Sequence, residues 1–260
     1  MSNLQPLLLV DLDDTLFQTH RRRVPLDTDR VATIDKSGQP LSYMSPKQQN
    51  MVDWLLQNGD VIPVTARSVE ALSRVQIDFK HGAVCDHGGA ILQANGEIDL
   101  EFHAIQQANL APLQARMSQL IEELHDLAKD FGSVRTWAVT EHGLNLYVVL
   151  KQNDPEPLFL NDLVNKLPAS LYDDFYLHMN GNNLAIIPHS VSKQNATKFL
   201  LQKIDPEQQR FCIGFGDSLS DFGFLGLCDW FGMPKNSQLH RFSQKALEQD
   251  YQHKGYFGHA

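Results

Sequence analysis

The chain is short of cysteine, of long apolar runs and of basic charge. Its three cysteines, Cys85, Cys212 and Cys228, are odd in number and far apart in 260 residues. None of the spacings suits a zinc site, and the plain reading is reduced thiols. Cys85 and Cys212 fall in strand-like runs and are expected in the core. Eleven histidines are scattered without a His-Glu-x-x-His or similar pattern, so they do not suggest zinc either. Nowhere do about 18 apolar residues run together, which argues against a membrane span. No positive segment followed by an export-length apolar stretch opens the sequence, so a cytoplasmic protein is expected. A formal net charge of −9, with no Lys/Arg cluster on an expected helix, argues against nucleic acid or an anionic membrane as partner. What the chain does have is 42% apolar residues, enough for a proper core in one large domain or two modest ones.

The most informative stretch is Leu7-Leu8-Leu9-Val10-Asp11-Leu12-Asp13-Asp14-Thr15. The apolar run reads as a buried parallel strand, too short for a helix on its own. A strand ending in carboxylates delivers them to the carboxyl edge of a sheet, where open α/β folds keep their ligands. Asp11 and Asp13 are two apart and would repel one another. A divalent cation between them removes that cost, and oxygen ligands suit Mg²⁺. An acidic cap on the following turn is the competing explanation, but one aspartate would serve for that.

Further along, Gln18 to Met44 is polar, with a hairpin expected around Lys36-Ser37-Gly38 and a basic run, Arg21-Arg22-Arg23. Ser45-Pro46 open a helix that stops at Gly59. Val61 to Thr65 reads as a strand, Ser68 to Val75 as a short helix and Gly82 to Cys85 as a brief strand, in βαβ order. Then the pattern changes. A hairpin is expected over Ala90 to Phe102, turning at Asn95-Gly96. A helix over Ala104 to Phe131 follows, then strands Val134–Thr140 and Asn145–Lys151, a helix Pro155–Leu167, and strands Phe175–Met179 and Leu184–Ile187. Helices with hairpins mark an α+β insertion. The first pattern returns with a helix from Lys193 to Lys203. A strand Phe211–Phe215 then runs into Gly216-Asp217, and a short helix Asp221–Leu227, a strand Trp230–Met233 and a helical tail from Gln238 follow.

Strand and helix ends thus supply Asp11, Asp13, Thr65, Lys193, Asp217 and Asp221. Phosphoryl transfer needs an in-line nucleophile, a cation and donors on the phosphoryl oxygens, and an acid for the leaving group. A carboxylate can be the nucleophile, a lysine can hold phosphate as a point charge, and further carboxylates complete a metal site.

These segments resemble the haloacid dehalogenase superfamily of phosphatases. Asp11-Leu12-Asp13-Asp14-Thr15, Thr65 after Val61–Val64, Lys193, and Gly216-Asp217-Ser218-Leu219-Ser220-Asp221 fit its four motifs in order. Thr65-Ala66-Arg67, Gly88-Gly89-Ala90 and Ile187-Pro188 with Val191-Ser192-Lys193 look like the branch of Cof-type sugar phosphatases, sucrose-phosphate phosphatase and phosphomannomutase. The resemblance implies an α/β fold, a doubly wound Rossmannoid parallel sheet made of 1–86 and 188–260. An α+β cap of the superfamily's second type, 87–187, would be inserted into it. By the same resemblance, Asp11 is the nucleophile and Asp13 the acid and then the base. Thr65 and Lys193 bind phosphate. Asp11, Asp217 and the backbone carbonyl of Asp13 hold Mg²⁺, with Asp221 a direct or indirect partner. An aspartate at position 13 also separates the chain from the dehalogenases, which need no such acid.

There are departures. Ser220 stands where an asparagine often helps bind phosphate, Ala66 replaces a glycine, and His87 replaces an asparagine at the cap entrance. Arg67 either meets a second substrate anion or pairs with a nearby acid. Arg21 to Arg23 either meet an anionic substrate or form a solvated run. Asp217 and Asp221 can cap a turn as well as bind metal. His87, Glu141, His142, His178 and Asn180 lie at the cap entrance or near cap turns. The expected activity is Mg²⁺-dependent hydrolysis of small phosphomonoesters, sugar phosphates first, through an aspartyl-phosphate. The rivals are a phosphosugar mutase and a non-catalytic phosphosugar sensor.

Overall fold

The computed structural model describes residues 4–20, 22–153 and 159–254. It divides into two compact units, one of residues 1–97 with 193–260 and one of residues 98–192. The first is built on a parallel sheet. Its central strand is β1 (Leu7–Val10), and its side chains are buried on both faces, which is why the run is apolar throughout rather than alternating. After it come the short β2 (Gln18–Thr19), β3 (Arg30–Ile34) and β4 (Pro40–Met44), an antiparallel sheet in the order β2-β4-β3. The expected hairpin is the β3–β4 pair. Arg21 lies outside the described residues.

Helix α1 (Pro46–Asn58) opens on a capping box, in which Ser45 and Gln48 satisfy each other's backbone amides. It stops at Gly59 for a packing reason rather than a left-handed turn. There the backbone is extended, and a Cβ would stand 2.8 Å from both the Leu8 side chain and the Pro6 carbonyl. Strand β5 (Asp60–Pro63) pairs parallel with β1, and α2 (Val69–Ser73) follows. The next hairpin differs from the sequence expectation. It is formed by β6 (Ala83–Cys85) and β7 (Ala90–Leu92), turning through Asp86–Gly89, while Asn95-Gly96 makes a separate tight turn closed by Gln93 and Glu97. Asp86 and His87 both carry positive φ to make that first turn, a strained choice that residue patterning does not announce.

Residues 98–192 carry an antiparallel sheet in the order β10-β11-β9-β8. The strands are β8 (Val134–Glu141), β9 (Leu144–Gln152), β10 (Phe175–Asn180) and β11 (Asn183–Pro188), close to their expected places. The long helix expected before them is two helices, α3 (Leu100–Leu110) and α4 (Gln114–Ala128). A single 3-10 turn with Pro112 separates them, as a ring without an N–H dictates. Asp99 caps α3 by accepting from the Glu101 and Phe102 amides. Met117, Leu120 and Leu124 of α4 pack on Val148 and Leu150 of β9. Of the expected helix Pro155–Leu167, residues 155–158 lie outside the described residues, and α5 (Leu160–Val164) is the part seen. A further short helix, α6 (Leu171–Asp174), precedes β10.

The chain then returns to the first unit through α7 (Lys193–Ile204), β12 (Cys212–Phe215), α8 (Phe222–Leu225), β13 (Trp230–Gly232) and α9 (Gln238–Lys254). The parallel sheet reads β13-β12-β1-β5, with all pairings parallel. A parallel bridge between Val64 and Val84 carries β6 alongside the end of β5. Among the described residues, no helix is long and apolar enough to cross a membrane.

The close approach at Gly59 gives a stability test. Gly59→Ala is expected to lower unfolding free energy by about 1–3 kcal/mol, as overpacking does, read from the denaturant midpoint. Unchanged stability would mean that Leu8 and the chain at Pro6 shift without cost.

Candidate active site

Parallel pairing sets the ends of β1, β5 and β12 side by side, so the residues just beyond them meet at one edge. Asp11 follows β1, its amide bonded to the Phe215 carbonyl of β12 at 2.8 Å. Its side chain is buried and doubly held. Thr15 Oγ1 donates to Oδ2 at 3.0 Å, and Lys193 Nζ donates to Oδ1 at 2.7 Å. Lys193, the first residue of α7, is itself buried and donates equally, at 2.7 Å, to Asp221 Oδ1. The Phe224 ring lies 5.8 Å from its ammonium.

Asp221 ends a 3-10 turn. Its other oxygen accepts from the Asp217 and Ser218 amides at 3.1 and 2.9 Å and from the Ser218 hydroxyl at 2.9 Å. Capping and cluster membership therefore coexist in one carboxylate. Gly216 is required beside it, since a Cβ there would meet the Asp221 side chain at 2.7 Å. Carboxylate oxygens of Asp11, Asp217 and Asp221 lie within 4.8 Å of one another. Ionised together, the three carboxylates would exceed the charge of the Lys193 ammonium by two. A hard divalent cation with oxygen ligands fits that donor set and that deficit.

Asp13 stands apart from this group. Its carboxylate is clasped by Arg67, with Nε to Oδ2 at 2.7 Å and Nη2 to Oδ1 at 2.8 Å. The guanidinium also lies over the Phe17 ring, 5.3 Å from its centre. Of the two roles open to Arg67, the structure thus shows pairing with an acid. Asp11 and Asp13 are met by two different cations, Lys193 and Arg67 respectively. Thr65 is buried beyond β5. Its hydroxyl oxygen accepts the Arg67 amide at 3.1 Å, which leaves its proton to give.

Ser220 is exposed, and its hydroxyl pairs at 2.8 Å with that of Ser218, which in turn donates to Asp221. Arg22 sits 3.3 Å from Asp14, and Arg23 is bidentate to Asp29. His87 is buried at the β6–β7 turn, its amide bonded to the Thr65 carbonyl. Glu141, His142, His178 and Asn180 all lie in the unit 98–192. Thr15 has no role assigned by the motif, yet it holds the Asp11 carboxylate. The signal was its four-residue spacing from Asp11.

Burial pushes the Asp11 carboxyl up to about 8, with Lys193 pulling it down and Asp221 and Asp13 adding to the rise. Burial likewise raises Asp217 to about 7, helped by Asp221 and Asp14. Burial opposes the charge on Lys193, but Asp11 and Asp221 outweigh it and hold the ammonium above the ordinary lysine range. Lys193 is therefore a fixed cation, and the excess negative charge is what a bound cation would relieve.

No protein-family model matches the chain, and no curated protein matches it. Solved structures do. The sucrose-phosphatase of Synechocystis sp. PCC6803, solved with sucrose and phosphate, is 15% identical, with a TM-score of 0.55 over 95% of this chain and 98% of that one. The C-terminal domain of C. albicans trehalose-6-phosphate phosphatase is 14% identical, with a TM-score of 0.56 over 98% and 79%. A haloacid dehalogenase-like hydrolase from Bacteroides thetaiotaomicron is 12% identical, with a TM-score of 0.52 over 94% and 99%. The fold is that of the haloacid dehalogenase-like hydrolases.

The raised carboxyl groups give a pH test. Their contribution to stability is full below the ordinary aspartate value and is lost as pH rises through about 7 to 8. Metal-free protein should therefore melt at lower temperature as pH rises from about 5 to about 8, and Asp11→Asn should flatten that slope. Mg²⁺ should raise the melting temperature more at the higher pH, where protons no longer compete for the carboxylates. An equal shift at both ends would place the ion elsewhere.

Proposed function

We propose that the chain is a Mg²⁺-dependent phosphatase of small phosphomonoesters, with sugar phosphates the first class to test. The observation that carries this reading is Asp11, a buried carboxylate held by Lys193 and Thr15 at a strand end, with Asp217 and Asp221 beside it. Asp11 attacks the phosphorus atom as the bond to the leaving oxygen breaks, giving an aspartyl-phosphate. Asp13 supplies the leaving oxygen with its proton and then takes a proton from water as that water attacks the phospho-enzyme. Arg67 fixes the Asp13 carboxylate for both steps. Lys193 and the Thr65 hydroxyl bind phosphoryl oxygens. Asp11, Asp217 and Asp221, with the backbone carbonyl of Asp13, would hold Mg²⁺, which supplies charge neutralisation on the phosphoryl group.

Similarity to a structure of a sucrose-phosphatase supports sugar phosphates as the substrate class. Selection among them is assigned to the inserted cap, 87–187 by the sequence boundaries. Ser220, whose hydroxyl already has a partner in Ser218, is assigned at most an outer contact with substrate.

The test is phosphate release from a panel of phosphomonoesters with Mg²⁺. Asp11→Asn should cut turnover by roughly three orders of magnitude or more while preserving the circular dichroism spectrum. EDTA should stop the reaction and Mg²⁺ restore it. Substantial turnover by the variant would remove Asp11 as nucleophile. A phosphosugar isomer in place of free phosphate would reassign the chain to a mutase.

A further inference from the structure

Cys212 opens β12, the strand whose far end leads to Asp217. Alternation along a strand puts Cys212 and Gly214 on one face, and both are buried. Gly214 has no side chain, and the place of its missing Cβ is crowded by Leu225 and by the Cys228 sulfur, 2.9 Å from the ideal Cβ position. The Cys228 thiol therefore lies flat against β12. Cys212 is the neighbouring residue on that face of β12, at the end of the strand that pairs with the chain following Cys228. The backbone fixes this approach from the next residue. The Asp229 amide donates to the Cys212 carbonyl at 3.0 Å, and the Asp229 carboxylate accepts the Cys212 amide at 2.8 Å.

Access and linkage favour chemistry at this pair. Cys228 is half-buried and Cys212 is buried, so a reagent meets Cys228 first. Cys228 Sγ also donates to the Phe224 carbonyl at 3.6 Å. Phe224 is the residue of α8 whose ring lies beside the Lys193 ammonium. The dithiol thus touches the active-site lysine through one intervening residue.

We propose that Cys212 and Cys228 form a modification site for low-molecular-weight disulfides, which oxidise them to an internal disulfide that loosens the Phe224 support of Lys193. Cys212 and burial push the Cys228 thiol up, so the first step is loss of its proton followed by attack of its sulfur on one sulfur of the small disulfide. That S–S bond breaks, a mixed disulfide forms and one small thiol leaves. Next the Cys212 thiolate attacks the Cys228 sulfur, the bond to the second small thiol breaks, and the Cys212–Cys228 bond forms. The two protein thiols lose two electrons and two protons, and the small disulfide takes them up as two thiols. A disulfide requires the two Cβ atoms to close to about 3.5–4.5 Å, which draws Cys228 along β12 toward Cys212. The S–H bond to the Phe224 carbonyl is lost in the same event.

The experiment treats the reduced full chain with oxidised glutathione, then measures intact mass, a peptide map and turnover of p-nitrophenyl phosphate. Expected are a loss of about two mass units, a Cys212–Cys228 cross-link with Cys85 still free, and turnover reduced about fivefold or more. Dithiothreitol should restore it. Cys228→Ser should neither cross-link nor lose turnover on oxidation. A persistent glutathione adduct without the internal bond, or no reaction at all, overturns the site. A bond formed with unchanged turnover overturns its link to Lys193. If the reduced protein hydrolyses no phosphomonoester, the phosphatase reading fails, and the mass measurement still decides the dithiol.

Discussion

The first unit depends on one buried ammonium. Lys193 joins Asp11, 182 residues earlier, to Asp221, 28 residues later, each at 2.7 Å. Residues on both sides of the segment 98–192 are thereby tied at one point in the structure. Burying such a charge is costly unless it is paired, and removing one partner of a buried pair typically costs about 3–5 kcal/mol. Here one cation answers two carboxylates, so the arrangement is stabilising only while all three groups remain. Active-site geometry and folding are consequently not separable at Lys193 or Asp221. At Asp11 an amide of the same shape can still meet Lys193 with its oxygen and Thr15 with its nitrogen, so a change there disturbs the cluster least.

The charge balance narrows what this edge of the sheet is built for. A purely structural cluster would be neutral, with each carboxylate matched by a cation. Asp13 meets that standard through Arg67, Asp29 through Arg23 and Asp60 through Arg210. Asp11 and Asp221 do not, since they share a single lysine, and Asp217 adds a third carboxyl group beside them. Excess negative charge among buried groups is tolerated where a ligand supplies the balance, and its cost is visible in the raised carboxyl groups.

Legibility of the sequence tracked how local each cause is. β1 was readable because an all-apolar run closed by aspartates has few alternatives. α1 was readable from Ser45, Pro46 and Gly59, although Gly59 turned out to serve close packing against Leu8 rather than a left-handed cap. The break between α3 and α4 was also local, at Pro112, and was passed over because the apolar periodicity continues beyond it. The β6–β7 hairpin was missed for a different reason. Asn95-Gly96 is a strong turn signal and does form a turn, but the strand partner of β7 lies upstream, across a turn made by Asp86 and His87 in unfavourable backbone geometry. The site residues were legible as strand ends. Their partners were less so, because the Arg67–Asp13 clasp spans 54 residues and the approach of Cys228 to β12 depends on the missing side chain of Gly214.

The division of partners between Asp11 and Asp13 is the last step. Two carboxylates two residues apart would share one environment on a continuing strand. β1 ends at Val10, and the turn that follows, with Asp14 at positive φ, sends them to different neighbours. Asp11 faces Lys193 and the acidic group, and Asp13 faces Arg67 and Phe17. Separate environments are what allow identical side chains to take different parts in one reaction. Burial and two donors fix the Asp11 carboxylate and shield it from water, as its proposed part as nucleophile requires. The Asp13 side chain, 39% exposed against 8% for Asp11, reaches solvent, as its proposed part as proton carrier requires. The end of β1 at Val10 therefore comes before the proposed chemistry, because leaving the strand there makes two aspartates of one motif inequivalent.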